Sequence, residues 1–420
     1  MTRLDAPGPA EAATPWLADP GHRSWLASDA RRQLGFFRRS LRGDGGFDVL
    51  AQDGTPLPHG AQELHTTTRL VHSYALGQAW GEPDCERIID AGMDFLWRHH
   101  RDARHGGYAW SVAGAAPLGA GAGGDGTKLA YGHVFVLLAA TSARAIGHPD
   151  ADRLIADIAE IIDRRFWDES RGLLCEEFAA DWTPFSSYRG MNANMHGVEA
   201  FLGAYEATGE TLWRDRAGRI LDFFVGRMAP DHGWRIPEHY RADWSVDPDY
   251  RGNPMFRPQG TTPGHSLELG RLVIQHWDLC GRPDDGAPDR ARRLVTQALA
   301  DAWLPDGGLA YTLDASGTVA VRDRYWWPVT EAIGAMAALL KTAPAAGDED
   351  WYRRLWRFAD ARLIDHGAGG WYPELDDAGR PAERQFRGKP DIYHALQAAL
   401  FPLVPEVSRL VTALARSRGD

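Results

Sequence analysis

Apolar residues return every three or four positions through about twelve stretches of the chain, the period of a helix that buries one face. The spacing predicts helices over 23–41, 63–80, 83–102, 130–147, 150–166, 192–208, 211–226, 264–280, 288–304, 326–342, 349–365 and 390–404. Two kinds of connection alternate between them. After the even-numbered helices the links are short: Gly81-Glu82-Pro83-Asp84, Gly147-His148-Pro149-Asp150, Thr208-Gly209-Glu210-Thr211 and Gly281-Arg282-Pro283-Asp284. Glycine ends a helix there and, in three of the four, Pro-Asp begins the next. After the odd-numbered helices the links reach about twenty residues, and several carry a Gly-aromatic signature: Gly106-Gly107-Tyr108, Gly233-Trp234, Gly307-Gly308-Leu309-Ala310-Tyr311 and Gly369-Gly370-Trp371-Tyr372. Short β-hairpins are expected in them.

Six helical hairpins with plain links at one end and elaborate links at the other imply an all-α fold, an (α/α)6 barrel of two concentric helical rings. The alternative is a solenoid that never closes. Residues 1–420 are expected to form one catalytic domain, with 1–20 a flexible extension. Long loops carry function more often than short ones, so a pocket is expected at the elaborate end, where the even-numbered helices begin.

Composition narrows the function. Of 420 residues, 44% are hydrophobic and 25% charged, which is ordinary for a globular protein with a large core. A formal charge of -11 and the lack of a basic block argue against nucleic acid as a partner. No stretch is apolar for long enough to cross a membrane, and residues 1–28 do not read as a secretory signal. Cys85, Cys175 and Cys280 lack the spacing of a metal knot and are expected as reduced thiols in a cytoplasmic protein.

The starts of the even-numbered helices are polar where ordinary core helices turn apolar. The second holds His65 and Arg69, the fourth Lys128, Tyr131 and His133, and the sixth Met195, His196 and Glu199. The eighth holds His265 and Glu268, the tenth Trp326, Trp327 and Glu331, and the twelfth Asp391 and His394. Three of these put a carboxylate three residues from a histidine, a spacing that lets one side chain orient the other. A lone pair of this kind is an ordinary solvated helix turn, but recurrence at one end of alternate helices points to a pocket. Arg69, Arg257 and aromatic platforms such as Trp327 and Trp371 suit a monosaccharide, whose C–H faces stack on rings and whose hydroxyls need donors and acceptors. No HExxH, GxSxG or phosphate-binding glycine loop occurs, so no metal and no cofactor are expected. The glycine-rich stretch 121–126 follows no strand and is expected at the pocket edge. Paired carboxylates for glycoside cleavage stay open as an alternative.

The stretches Asn192-Ala193-Asn194-Met195-His196-Gly197-Val198-Glu199-Ala200-Phe201, Gly260-Thr261-Thr262-Pro263-Gly264-His265-Ser266-Leu267-Glu268 and Asp391-Ile392-Tyr393-His394 resemble the N-acylglucosamine 2-epimerase superfamily, in its mannose and sulfoquinovose isomerase branch. The likeness runs from about residue 20 to 405 and includes Trp327-Pro328-Val329-Thr330-Glu331-Ala332. It implies an (α/α)6 barrel and metal-free aldose–ketose isomerisation, with His265 and His394 as the catalytic pair. Arg69, His196, Arg257, Glu268, Trp327 and Asp391 match the superfamily's pocket positions, and Met195 and His65 adjoin them. His65 stands where the branch carries an aromatic residue, and Pro390 where it carries glutamine. On this reading His394, oriented by Asp391, moves the proton between C2 and C1 of mannose through a cis-enediol. His265, backed by Glu268, opens the ring, or the two exchange roles. Lyxose is a further aldose expected to react. A sugar 2-epimerase, a sulfoquinovose isomerase, for which Arg69, His65 and Lys389 would supply charge, and a non-catalytic sugar-binding module are the alternatives.

Overall fold

The computed structural model describes residues 14–57, 61–113, 124–253 and 257–418. The inner ring consists of Leu64–Trp80, Ala130–Ala145, Met191–Thr208, Pro263–Leu279, Trp326–Thr342 and Tyr393–Leu400. Each packs on the next, and Tyr393–Leu400 returns to Leu64–Trp80, which closes the ring. The protein is therefore an (α/α)6 barrel rather than an open solenoid.

The outer ring is formed by Pro20–Phe37, Glu86–Phe95, Ala151–Ile161, Thr211–Leu221, Ala287–Ala302 and Asp348–Phe358. Four of these continue into a wider turn, at Leu96–His100, Ile162–Phe166, Asp222–Met228 and Ala359–Leu363. The two rings differ in burial for a physical reason. An outer helix has water on one side and needs one apolar stripe, whereas an inner helix is enclosed by neighbours and buries nearly every residue of its first turns. Trp213 and Trp356, on outer helices, are core filler as expected. Trp371 proves to be core as well: its indole donates to Asp29 Oδ2 at 3.0 Å and packs on Trp356, so it is no sugar platform. A last helix, Leu410–Arg416, which the periodicity did not announce, closes the plain end of the barrel against Leu64–Trp80.

At the other end the long links are stitched together in a cycle. The residues entering each inner helix pair with the long link that follows: Gln62–Glu63 with Ser111–Val112, Lys128–Leu129 with Glu177–Phe178, and Arg189–Gly190 with His239–Tyr240. Thr261 then pairs with Leu313, Arg324–Tyr325 with Glu374–Leu375, and Lys389 with Leu50 of the first link. Antiparallel ladders only one or two residues long thus form a collar around the mouth. They satisfy backbone groups that the loops would otherwise bury unpaired. The collar fixes where each inner helix starts, and with it the first side chains of that helix.

Candidate active site

Inside the collar lies a cavity of about 430 Å³, lined by the first turns of all six inner helices. His65, Arg69, His196, His265, Glu268, Trp327, Asp391 and His394, chosen from the sequence, all line it. Tyr131, Asn192, Glu63 and Tyr311 complete much of the wall. Met195 does not: it is fully buried in the core. Arg257 also lies outside the lining, held by Glu177 at 2.6 Å and stacked 4.1 Å above Tyr188. Lys128 and His133 are structural, one paired with Asp102 at 2.9 Å and the other donating to the Leu129 carbonyl at 2.7 Å. Half of the glycine-rich stretch 121–126, residues 121–123, falls outside the described residues.

Both chemically suggestive histidines are held at Nδ1 by carboxylates, though not by the ones spacing suggested. His394 donates to Glu331 Oε1 at 2.8 Å, from one inner helix to its neighbour. His265 donates to both oxygens of Glu238 at 3.0 Å, and Glu238 also accepts the Thr262 backbone N–H at 3.2 Å. A carboxylate on Nδ1 requires the proton there, so the tautomer of each neutral ring is the one whose lone pair is on Nε2. Trp327 lies between the two, its ring centroid 5.1 Å from His265 and 5.9 Å from His394. Gly264 makes that position possible, since a Cβ on residue 264 would stand 2.4 Å from the Trp327 ring.

Asp391, which spacing assigned to His394, pairs instead with Arg69 at 2.7 Å. Arg69 also donates to the Tyr131 hydroxyl at 2.8 Å, and its guanidinium lies over Phe135 and Tyr393. Burial pushes the Asp391 carboxyl up, but Arg69 and the nearby histidines outweigh it and keep the group ionised.

Glu268 reaches deeper than His265, one turn further along, and meets a buried charge cluster. Arg271 lies 3.1 Å from Glu331, 3.7 Å from Glu199 and 3.8 Å from Glu268. One guanidinium cannot balance three carboxylates, so one must take a proton. Glu331 and Glu199 are held ionised by Arg271 and neighbouring histidines. Burial, reinforced by the charges of Glu331 and Glu199, drives Glu268 well above the usual carboxyl range. Glu268 is thus the carboxyl of the three that most readily carries a proton, and neither of its oxygens has a hydrogen-bond partner among the described residues. Burial pulls His196 down to about 4, so it is uncharged at pH 7.

His196, Glu199 and Glu268 bring possible ligand atoms within 4.8 Å of one another, a spacing that a metal ion could bridge. Arg271 already supplies positive charge to both glutamates there, and Tyr393 donates its hydroxyl to Glu199.

Residues 45–398 match the family model for N-acylglucosamine 2-epimerase (GlcNAc 2-epimerase). The chain is 40% identical over 411 residues to a D-mannose isomerase of Thermobifida fusca, covering 96% of this chain and 99% of that one. It is 38% identical over 410 residues to a D-mannose isomerase of Pseudomonas cannabina pv. alisalensis, covering 95% and 97%. A crystal structure of D-mannose isomerase superposes with a TM-score of 0.83 at 29% identity, covering 92% of this chain and 99% of that one.

Proposed function

Since the chain belongs to the N-acylglucosamine 2-epimerase family and is an isomerase, we propose that it interconverts D-mannose and D-fructose, and D-lyxose and D-xylulose, without a metal. The observation that carries this reading is the pair His265 and His394. Each is tied at Nδ1 to a carboxylate, each leaves Nε2 without a protein partner among the described residues, and both rings lie within 6 Å of the Trp327 indole in the same cavity.

Aldose–ketose isomerisation moves one proton from C2 to C1 and another from the C2 hydroxyl to the C1 oxygen. His265 first opens the pyranose, giving a proton to the ring oxygen and taking the one on the anomeric hydroxyl. His394 Nε2 then takes the C2 proton, while Glu331 stabilises the imidazolium through Nδ1. Electron density flows onto the C1 oxygen and gives a cis-enediolate. Arg69, neutral His196 and the acid form of Glu268 surround that negative charge with donors, the work a metal ion performs in other isomerases. The C2 hydroxyl passes its proton to the C1 oxygen, His394 returns its proton to C1, and the C2 oxygen becomes the ketone. Trp327 supports the C–H face of the sugar. The reading fits a cytoplasmic enzyme of sugar metabolism.

Proton NMR of the chelator-treated protein with mannose in deuterated water tests this. Fructose carrying deuterium supports the reading. Glucose as sole product would instead make the protein a 2-epimerase, and exchange of nothing would leave mannose unsupported.

A further inference from the structure

The inner ring runs in chain order, so Pro263–Leu279 and Leu64–Trp80 face one another across the cavity. With the reacting carbons between His265 and His394, the far end of an aldose meets the wall opened by Glu63 and His65. We propose that Glu63 and His65 read the C6 end of the sugar, and that the Glu63 carboxylate confines the site to uncharged aldoses. This rests on the isomerase reading above.

Charge carries the argument. Arg69 is the one Lys or Arg among the described lining residues, and its charge is already balanced by Asp391. Lys389, the cation that a sulfonated sugar would want, is buried and bonded to Asp365 at 2.7 Å and to the carbonyls of Gln52 and Gly369. The internal segments outside the described residues, 58–60, 114–123 and 254–256, contain no lysine or arginine. The lining histidines add no charge at the far wall, since burial pulls His65 down to about 3.

Against this stands Glu63, whose side chain is 41% exposed and has no guanidinium or ammonium group at ion-pair distance among the described residues. Its Oε2 lies 3.4 Å from His65 Nδ1, and His65 stacks on Trp110 at 5.1 Å with the rings 10° from parallel. That stacking fixes the imidazole plane. A neutral imidazole and a carboxylate together offer one donor and two kinds of acceptor, which suits a primary alcohol that both gives and receives a hydrogen bond. A carboxylate, sulfonate or phosphate at C6 can only accept, and it meets Glu63 with like charge.

D-Mannuronamide and D-mannuronate share a shape and differ in charge at C6, so their comparison separates charge from size. The ratio of their kcat/KM values at low ionic strength is expected to favour the amide by roughly tenfold or more, to shrink in high salt, and to approach one in Glu63→Gln. Calorimetric binding of the two ligands to His394→Asn, with and without Glu63→Gln, reads the same ratio independently of turnover. Mannose turnover by the unaltered protein tests the parent reading separately. An amide-to-acid ratio near one before substitution, or a ratio that Glu63→Gln leaves unchanged, overturns the proposal even if mannose is converted.

Discussion

Glu331 Oε1 accepts the Nδ1 proton of His394 at 2.8 Å, although 63 residues separate the two in the chain. The bond joins two neighbouring inner helices, and the other oxygen of Glu331 is held by Arg271 at 3.1 Å. The imidazole is therefore oriented from the barrel floor rather than from its own helix.

Glu331→Gln should accordingly lower kcat on the order of 100-fold with a smaller change in KM, because the amide cannot stabilise a protonated His394. Asp391→Asn leaves this bond in place and should cost kcat less. Steady-state fructose formation measures both, and equal losses in kcat would return the orienting role to Asp391.

Gly264→Ala should displace Trp327, since the new Cβ would stand 2.4 Å from one ring atom and 2.6 Å from another. A shift of about 1 Å at a reacting site lowers kcat/KM by roughly 10- to 100-fold. Thermal melting alongside the kinetics separates this from general unfolding. Unaltered kcat/KM would show that the indole has room to move.

Acid should destabilise the fold steeply. Burial holds His22, His65, His100 and His133 at about 3, and His72 and His196 at about 4. Between those values and the ordinary 6.5 the unfolded chain binds protons that the folded chain does not, so stability rises with pH and falls on acidification below 6.5. Each histidine contributes roughly 1.4 kcal/mol per pH unit in that window. Glu176 and Glu206, pushed up to about 7 by burial, and Glu63 and Glu268, which burial also raises, act in the opposite sense above 4.5. The six histidines outnumber these four carboxyls. Urea midpoints should drop between pH 7 and pH 5, and a midpoint that rises instead would contradict the burial of these rings.

Exhaustive chelation should leave mannose turnover undiminished. Loss of activity that Zn²⁺ or Mn²⁺ restores would make His196, Glu199 and Glu268 metal ligands.

Helical period and link length made the fold legible because they are local. Inner helices began within three residues of expectation, as at Met191 and Pro263, and every second helix did open on the cavity. The partners of the site residues were not local. His-x-x-Glu spacing describes neighbours on one helix, but in a closed ring the nearest carboxylate comes from another segment. Glu238, in the long link 27 residues before His265, carried no signal of its own. Arg271 drew no attention in the sequence, and closure alone brings Glu199 and Glu331 to the guanidinium that also meets Glu268. Trp371, expected as a sugar platform, and Lys389, expected as charge for a sulfosugar, are both core by packing.

The six short ladders tie every long link to the one after it, never back to its own helical hairpin. A lengthened or shortened lip therefore tugs on the sector next door, and the rim behaves like interlocked fingers rather than independent petals. Grafting a single loop from a relative would leave one clasp unmet, so successful transplants of sugar preference should require adjacent loops exchanged as pairs.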